Sequence, residues 1–466
     1  MAEFPCFAVV GHPNQGKSSV VSTLAQDDHI AISPVSGTTR EAHRYRLVLK
    51  ERVLYEWVDT PGFQRARQIL EWCNERARSA ADRPALLSRF VEEHKADPRF
   101  ADDCAVLTPV LAGAGIIYVV NSSQVYSSAH DAELTLLSWT AQPRLALLNP
   151  MGPAEQVAAT STQWQQALQQ YFSLVRTFNP LRDSFTSQLA LIRSLAEIAP
   201  EWQGALLEGV DALEHQRQER HDQAADAVVG YCEQVYRFEL QVPLAGPRDQ
   251  LREQALRQYN AELQRRESRL QRTLARIYGH HHLDWEAEWQ PLGHRDLTDQ
   301  REWRAWGLPR RRLAALSTAA GAASGLAVDA AVGGSSLFLG AALGGVIGGL
   351  AGNFAGRDPV TIQWVEKIPG YEHWQLGPVS NLEFAVALFG RALRIWYQIR
   401  VRNHADRATL KLSDTDLNQW LEGLASRQQV QWLYWVRKWL KRSLTESEQK
   451  QMKHLILSIG DQMDSL

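Results

Sequence analysis

The sequence predicts an α/β domain, a mostly parallel sheet flanked by helices, followed by a mainly α-helical C-terminal region with a glycine-rich hairpin. Three observations predict it. Short apolar runs alternate with helical patterns over residues 1–180, the signature of a parallel sheet with helices on both faces. Gly115–Asn121 (GIIYVVN) is apolar almost without interruption, as a strand buried on both faces requires. From residue 181 the chain turns rich in Leu, Ala, Gln, Arg and Glu, which favour long helices. With 466 residues the chain exceeds one ordinary domain. The expected segments are an α/β domain over 1–180 with an insertion at about 65–110, a helical bundle over 181–312, an Ala/Gly-rich hydrophobic hairpin over 313–358, and a C-terminal helical domain over 359–466.

In chain order, Phe4–Val10 is a short apolar strand ending in a glycine-containing turn. Arg44–Leu49 and Arg52–Val58 are strand-like, and Lys50 and Glu51 between them predict a hairpin. Gly115–Asn121, Leu145–Asn149 and Leu174–Phe178 complete the strands, with helical patterns at His130–Trp139 and Thr162–Tyr171 between them.

The first turn carries chemistry. Gly11-His12-Pro13-Asn14-Gln15-Gly16-Lys17-Ser18 fits GxxxxGK[ST], with Ser19 following. In such a loop backbone N–H groups surround phosphates, the lysine reaches the β and γ phosphates, and the serine hydroxyl ligates Mg²⁺ at the positive end of a helix. Val58-Asp59-Thr60-Pro61-Gly62 closes the third strand; Asp59 is expected to hold Mg²⁺ through water, and the Gly62 N–H to sense the γ-phosphate. Gly37-Thr38-Thr39-Arg40 falls where a switch loop belongs, and Thr39 is expected to complete the Mg²⁺ shell. Ser18, Thr39, phosphate oxygens and waters supply the oxygen donors that Mg²⁺ prefers.

GHPNQGKSS, GTTRE and DTPG together resemble the Era/TrmE-type GTPases, of the 50S ribosome-binding-GTPase kind. More closely, the chain resembles a bacterial family of such GTPases whose helical C-terminal region is a domain of unknown function. The resemblance is specific over the first 180 residues and looser beyond. It implies a P-loop GTPase fold, binding of GTP and GDP, and Mg²⁺ as cofactor. It also implies a K⁺ site beside the phosphates at Asn14, where related enzymes use an asparagine. Lys17, Asn14, Thr39 and Gly62 would then be the catalytic set. Many GTPases place a water-orienting Gln directly after DxxG, but Phe63 stands there in this chain. Hydrolysis is therefore expected to be slow and dependent on a cation or a partner.

The guanine-reading NKxD motif is degenerate. Leu148-Asn149-Pro150-Met151-Gly152 keeps the Asn and lacks the Lys and the Asp. Loss of a charge-assisted pair costs on the order of 1.5–3 kcal/mol, so ATP or relaxed specificity stays open. The next base loop is Thr177-Phe178-Asn179, in which Phe178 or Asn179 is expected to supply contacts. The insertion after Gln64, with helical patterns at Arg65–Ala81 and Leu86–His94, is either decoration or a surface that reads the nucleotide state.

In the helical half, Leu256, Leu263, Leu270 and Ile277 repeat every seven residues, with Tyr259 between the first two. Arg266 and Thr273 break the companion positions, which favours an antiparallel bundle over a dimeric zipper. Gly340, Gly344, Gly348, Gly352 and Gly356 would line one helix face as a glycine zipper. Leu313–Val332 and Leu337–Gly356 are each about the ~20 residues that span a bilayer. Asp329 and the Ala/Gly-rich composition equally fit a soluble hairpin. Ser380 and Glu383 predict a capping box for a helix reaching about Arg402. Trp432, Trp435, Val436 and Trp439 form an apolar stripe, read as the core face of a bundle rather than a membrane-lying surface.

A formal net charge of −2 argues against a bulk nucleic-acid binder, so RNA or the ribosome is the weaker partner expectation. An unidentified protein partner, or a membrane met through residues 313–356, is the stronger one. Four cysteines without zinc spacing and an N-terminus without a secretory pattern indicate a cytoplasmic protein, with association at the inner face of the cytoplasmic membrane as an extension. His280-His281-His282 point to different faces of one helix and lack a ligand framework. The leading expectation is a nucleotide-controlled switch with slow Mg²⁺- and K⁺-dependent GTP hydrolysis. A dynamin-like membrane GTPase and a non-hydrolysing nucleotide-binding scaffold are the alternatives.

Overall fold

The computed structural model describes residues 4–27, 42–243, 248–281, 283, 360–368, 371–408 and 426–464. Thr39 with the GTTR segment, His282 and the whole glycine-rich segment 313–358 lie outside the described residues. The chain divides into two compact units: residues 1–217 with 279–282 and 402–407, and the remainder.

The first unit is built on six strands in the order β2-β3-β1-β4-β5-β6. These are β1 (Cys6–Val10), β2 (His43–Leu49), β3 (Arg52–Asp59), β4 (Gly115–Asn121), β5 (Arg144–Asn149) and β6 (Val175–Thr177). β2 runs antiparallel to β3, and every other pairing is parallel. The expected hairpin is present: Lys50 and Glu51 both take positive φ, 47° and 66°, the left-handed pair that a two-residue turn between twisted strands needs. The central strands are buried on both faces and sort their side chains by parity. Ala8, Val10, Ile116, Tyr118 and Val120 face one core, and Phe7, Val9, Ile117 and Val119 the other.

On the first face pack α2 (Ala66–Arg76), α3 (Arg83–His94), α4 (Ala101–Leu111), α5 (Ser128–Ser138) and α6 (Ala154–Leu168). α2, α3 and α4 are the insertion, and they join the core through Ile69, Leu87, Phe90, Val106 and Leu107. α4 was not expected as a separate helix; Pro109 lies inside it and obscures its pattern. The other face takes α1 (Lys17–Ala25), α7 (Phe185–Ile198) and the first turns of α8 (Gln203–Tyr236), through Val20, Ile192, Leu195, Leu206 and Val210. The expected boundary at residue 180 therefore moves to Arg217, because α7 and the start of α8 cover a sheet face that would otherwise meet water.

The second unit is mainly helical. It contains the rest of α8, α9 (Arg248–Tyr278), α10 (Leu382–Arg400), α11 (Ser426–Lys441) and α12 (Glu446–Asp464). Tyr259, Leu263, Leu270 and Leu274 of α9 are buried with Trp396, Trp432, Val436 and Trp439. The tryptophan stripe is thus core. Glu267 of α9 and Arg391 of α10 form a buried bidentate pair at 2.8 and 2.6 Å. Two expectations need correction. Residues 360–368 and 371–379 are strands, not helix: β8 (Val360–Ile368) and β9 (Tyr371–Val379) pair antiparallel, and β7 (Leu240–Pro243) extends them. The alternation Val360, Ile362, Trp364 and the Pro369-Gly370 punctuation carry that signal in the sequence. The N-cap of α10 is Asn381, whose side chain accepts from the Phe384 N–H, rather than Ser380. Among the described residues no helix is long and apolar enough to cross a membrane.

Candidate functional site

The motif residues meet at the C-terminal edge of the central strands, where the loops after β1, β3, β4 and β5 converge. The loop after β1 runs straight into α1, with Gly16 as its N-cap. Gly16 takes φ 87°, and a Cβ there would stand 2.3 Å from Asn149 Nδ2, so a side chain is excluded on both counts. Asn14 is also left-handed, φ 61°, and exposed. Asparagine tolerates that conformation better than other side-chain-bearing residues. Ser19 follows on the first turn of α1, half-buried.

Polar contacts hold the loop from three sides. Asn149 at the end of β5 donates its Nδ2 to Gln15 O at 3.0 Å. The buried Gln15 side chain accepts from the Asn121 N–H at the end of β4 and donates to Gln124 Oε1 at 3.3 Å. From the turn after β3, Phe63 N–H donates to Gly11 O at 3.2 Å. Gly62 is so close that a Cβ would stand 2.4 Å from Pro13 N. The first loop and the DTPG turn thus form one preassembled junction.

Lys17 Nζ donates to His12 O at 2.8 Å. Burial lowers its pKa to about 8, against the opposing pull of the Asp59 and Glu133 charges. A lysine kept dry and held toward the loop suits an incoming anion. Ser18 Oγ donates to Asp59 Oδ2 at 2.7 Å. Asp59 is 2% exposed. A hydroxyl and a carboxylate converging in a shielded position are the hard oxygen donors that Mg²⁺ takes, and they fit that ion.

The base side departs from the expectation. Phe178 is buried in the core of the α1/α7 face, its N–H bonded to Leu148 O, so its ring lies away from the loop surface. Asn179 is committed locally: Nδ2 donates to Pro150 O at 3.0 Å, and Oδ1 accepts from the Leu181 N–H at 2.9 Å. At Gly152, the position of the Asp in an NKxD motif, the N–H donates to Ser123 Oγ at 2.6 Å, and a Cβ would meet Ser123 at 2.8 Å. Ser123 fills the space that the side chain of an NKxD motif would need.

Two features were beyond sequence reasoning. Asp103 of α4 is fully buried, and its Oδ1 accepts the Gln64 and Arg65 N–H groups at 2.9 and 3.0 Å. The insertion thereby pins the backbone immediately after the DTPG turn, and burial raises the Asp103 pKa against the pull of those two amides. Beneath the first loop, His12 Nδ1 lies 2.8 Å from Glu133 Oε1 of α5. Tyr118 of β4 donates to Glu133 Oε2 at 2.8 Å and lies 3.2 Å from His130 Nδ1. Elsewhere, His280 is buried and stacked on His404 at 4.5 Å. Among the described residues no group of three or more His, Cys, Asp or Glu is arranged to hold a metal. Cys6, Cys73, Cys104 and Cys232 are buried free thiols.

Comparison with known proteins fits this geometry. A family model described as 50S ribosome-binding GTPase matches residues 6–126, and one described as a domain of unknown function (DUF3482) matches residues 165–460. GTPase Der of Streptococcus thermophilus is 28% identical over 142 residues, covering 30% of this chain and 32% of Der. GTPase Der of Lactococcus lactis is 29% identical over 129 residues, 27% of this chain and 29% of its own. The chain thus spans about a third of the length of the curated relatives it matches. Among solved structures, Aquifex aeolicus Era bound to GDP.AlF4- aligns at 13% identity with a TM-score of 0.29, over 59% of this chain and 98% of Era. Motifs, sheet order and matches agree on a P-loop domain of the GTPase class at the N-terminus.

Proposed function

This chain belongs to the DUF3482 family, whose model spans residues 165–460, and on that premise we propose that its N-terminal domain binds and slowly hydrolyses GTP as a nucleotide-controlled switch. The observation that carries the reading is the preassembled junction of Lys17, Ser18, Asp59 and Gly62 on the loops after β1 and β3. Backbone N–H groups from Asn14 to Ser19 and the N-terminus of α1 receive the phosphates, and Lys17 bridges the outer two. Ser18, Thr39 and Asp59 would hold Mg²⁺, which when bound neutralises charge on the phosphate oxygens. Asn14, exposed on the loop, would help hold K⁺. Gly62 reports the terminal phosphate to the backbone at Gln64 and Arg65, which Asp103 anchors, so the insertion senses the nucleotide state. The DUF3482 region then serves as the effector part toward a protein partner in the cytoplasm. Purified protein titrated with fluorescent GDP and ADP in Mg²⁺, with and without Lys17→Ala, tests the reading. A preference for GDP that the variant loses supports it. Equal or tighter ADP binding replaces it with a general nucleotide binder. Turnover equal in K⁺ and Na⁺ removes the K⁺ role of Asn14.

A further inference from the structure

The side chain that many GTPases use to orient water after DxxG is replaced here by Phe63, and Phe63 is 1% exposed, packed into the core. Gln64 follows, its backbone N–H held by Asp103 Oδ1. The junction offers another group. His12 lies between Gly11, whose carbonyl accepts the Phe63 N–H, and Pro13, against which Gly62 is seated. Its own carbonyl receives Lys17 Nζ. His12 therefore occupies the seam between the phosphate loop and the DTPG turn, and its side chain remains 40% exposed.

The hydrogen bonds fix which ring nitrogen is available. Tyr118 donates to Glu133 Oε2, so the proton shared between Tyr118 and His130 comes from His130 Nδ1. Burial lowers the His130 pKa, which favours this neutral donor. Glu133 Oε1 in turn faces His12 Nδ1. A carboxylate only accepts, so Nδ1 of His12 carries a proton, and in the neutral imidazole Nε2 keeps its lone pair. The His130 ring lies edge-on to His12 with centroids 5.3 Å apart, limiting rotation of the imidazole. A buried carboxylate orienting a histidine by Nδ1–H is the arrangement that sets the reactive tautomer in hydrolytic sites.

We propose that His12 and Glu133 form a dyad that serves hydrolysis in place of the missing glutamine. The inference rests on the GTP hydrolysis proposed above. Glu133 is the positioning residue; His12 Nε2 accepts a hydrogen bond from the attacking water. The water oxygen forms a bond to the terminal phosphorus as the bond from that phosphorus to the β–γ bridging oxygen breaks. The diphosphate leaves with that electron pair, and the water proton passes to an oxygen of the departing phosphate. His12 orients the water and takes no proton.

The test is single-turnover hydrolysis of GTP with Mg²⁺, read together with GDP affinity, on the full chain and on H12F, E133Q and the double variant. H12F is expected to slow hydrolysis roughly 100-fold, the scale of a lost orienting group, and E133Q roughly tenfold, the scale of a misplaced one. GDP affinity stays within about threefold, and the double variant is no slower than H12F. If H12F does not fold, H12Q with E133Q gives the same split between rate and affinity. Hydrolysis within threefold of the native rate with GDP binding intact overturns the dyad and leaves the GTPase reading standing. An affinity loss that tracks the rate loss also overturns it, since His12 is then only a loop support. A native protein that binds GDP and hydrolyses nothing overturns both.

Discussion

Lys17 gives the sharpest trade between stability and function, and Lys17→Met exposes it. Burial lowers the lysine pKa from 10.5 to about 8. The unfolded chain therefore binds one more proton than the folded one between those values. Stability contributed by this site rises as pH climbs from about 8 toward 10.5, and the full penalty is present below 8. At about 1.4 kcal/mol per pH unit the penalty is about 3 kcal/mol. Against it stands the charge-assisted hydrogen bond to His12 O, worth about 1.5–3 kcal/mol. Methionine of similar length removes both. The nucleotide-free variant is expected to be about as stable as the native protein or up to roughly 1.5 kcal/mol more stable at pH 7, a rise of up to about 3–6 °C for a domain of this size. The difference between the two proteins should then move by about 2.5 kcal/mol in favour of the native chain between pH 7 and 10. GDP with Mg²⁺ should raise the melting temperature of the native protein and leave the variant unmoved. Thermal melts at several pH values, with and without GDP, read all three. A native–variant difference that stays flat from pH 7 to 10 would refute the claim that Lys17 is held charged at a cost.

Asp103→Ala removes the buried carboxylate that accepts the Gln64 and Arg65 N–H groups, at about 1.5–3 kcal/mol for bonds to a charged acceptor; hydrogen exchange at Gln64 and Arg65 should accelerate while exchange in β4 stays protected. Ser18→Ala should leave GDP binding in EDTA nearly unchanged and abolish the strengthening that Mg²⁺ gives the native protein, seen by fluorescence titration. In the second unit, Glu267→Ala removes the bidentate carboxylate from the buried Arg391 guanidinium and should cost about 3–5 kcal/mol, whereas the double change Glu267→Leu with Arg391→Met should recover most of it; chemical denaturation compares them.

Local chemistry made the phosphate side of the site legible. GHPNQGKSS and DTPG are contiguous motifs, each demanding a particular backbone, and strand periodicity placed them at the ends of β1 and β3. The hairpin at Lys50-Glu51 and the buried strand Gly115–Asn121 were equally plain. What stayed hidden depends on long-range pairing. Glu133 reaches His12 across 121 positions, and Asp103 reaches Gln64 across 39; no spacing rule connects such residues. The strands β8 and β9 are hard to read from the sequence because helical composition on both sides outweighs a short alternating pattern. Phe178 was expected at the base because of its place after β6, but strand parity turns it into the core.

The two halves of the nucleotide site keep the usual motifs to different degrees, and the packing accounts for the difference. The phosphate loop is tied into β1, β3, β4 and β5 by Gln15, Asn149, Gly62 and the Phe63 amide. Almost any change there disturbs several strands at once. The base side hangs on short contacts among loops: Gly152 with Ser123, and Asn179 with Pro150. Those can be rebuilt without moving the sheet. Nor is Gly152 simply a lost carboxylate that one substitution would restore. Ser123 occupies the space, so Gly152→Asp must displace Ser123 or shift the loop after β5. Guanine reading by the usual carboxylate can return only if both positions change together. Asn149, Pro150, Met151 and Gly152 carry no carboxylate, so none stands at this position of the loop after β5 without that joint change.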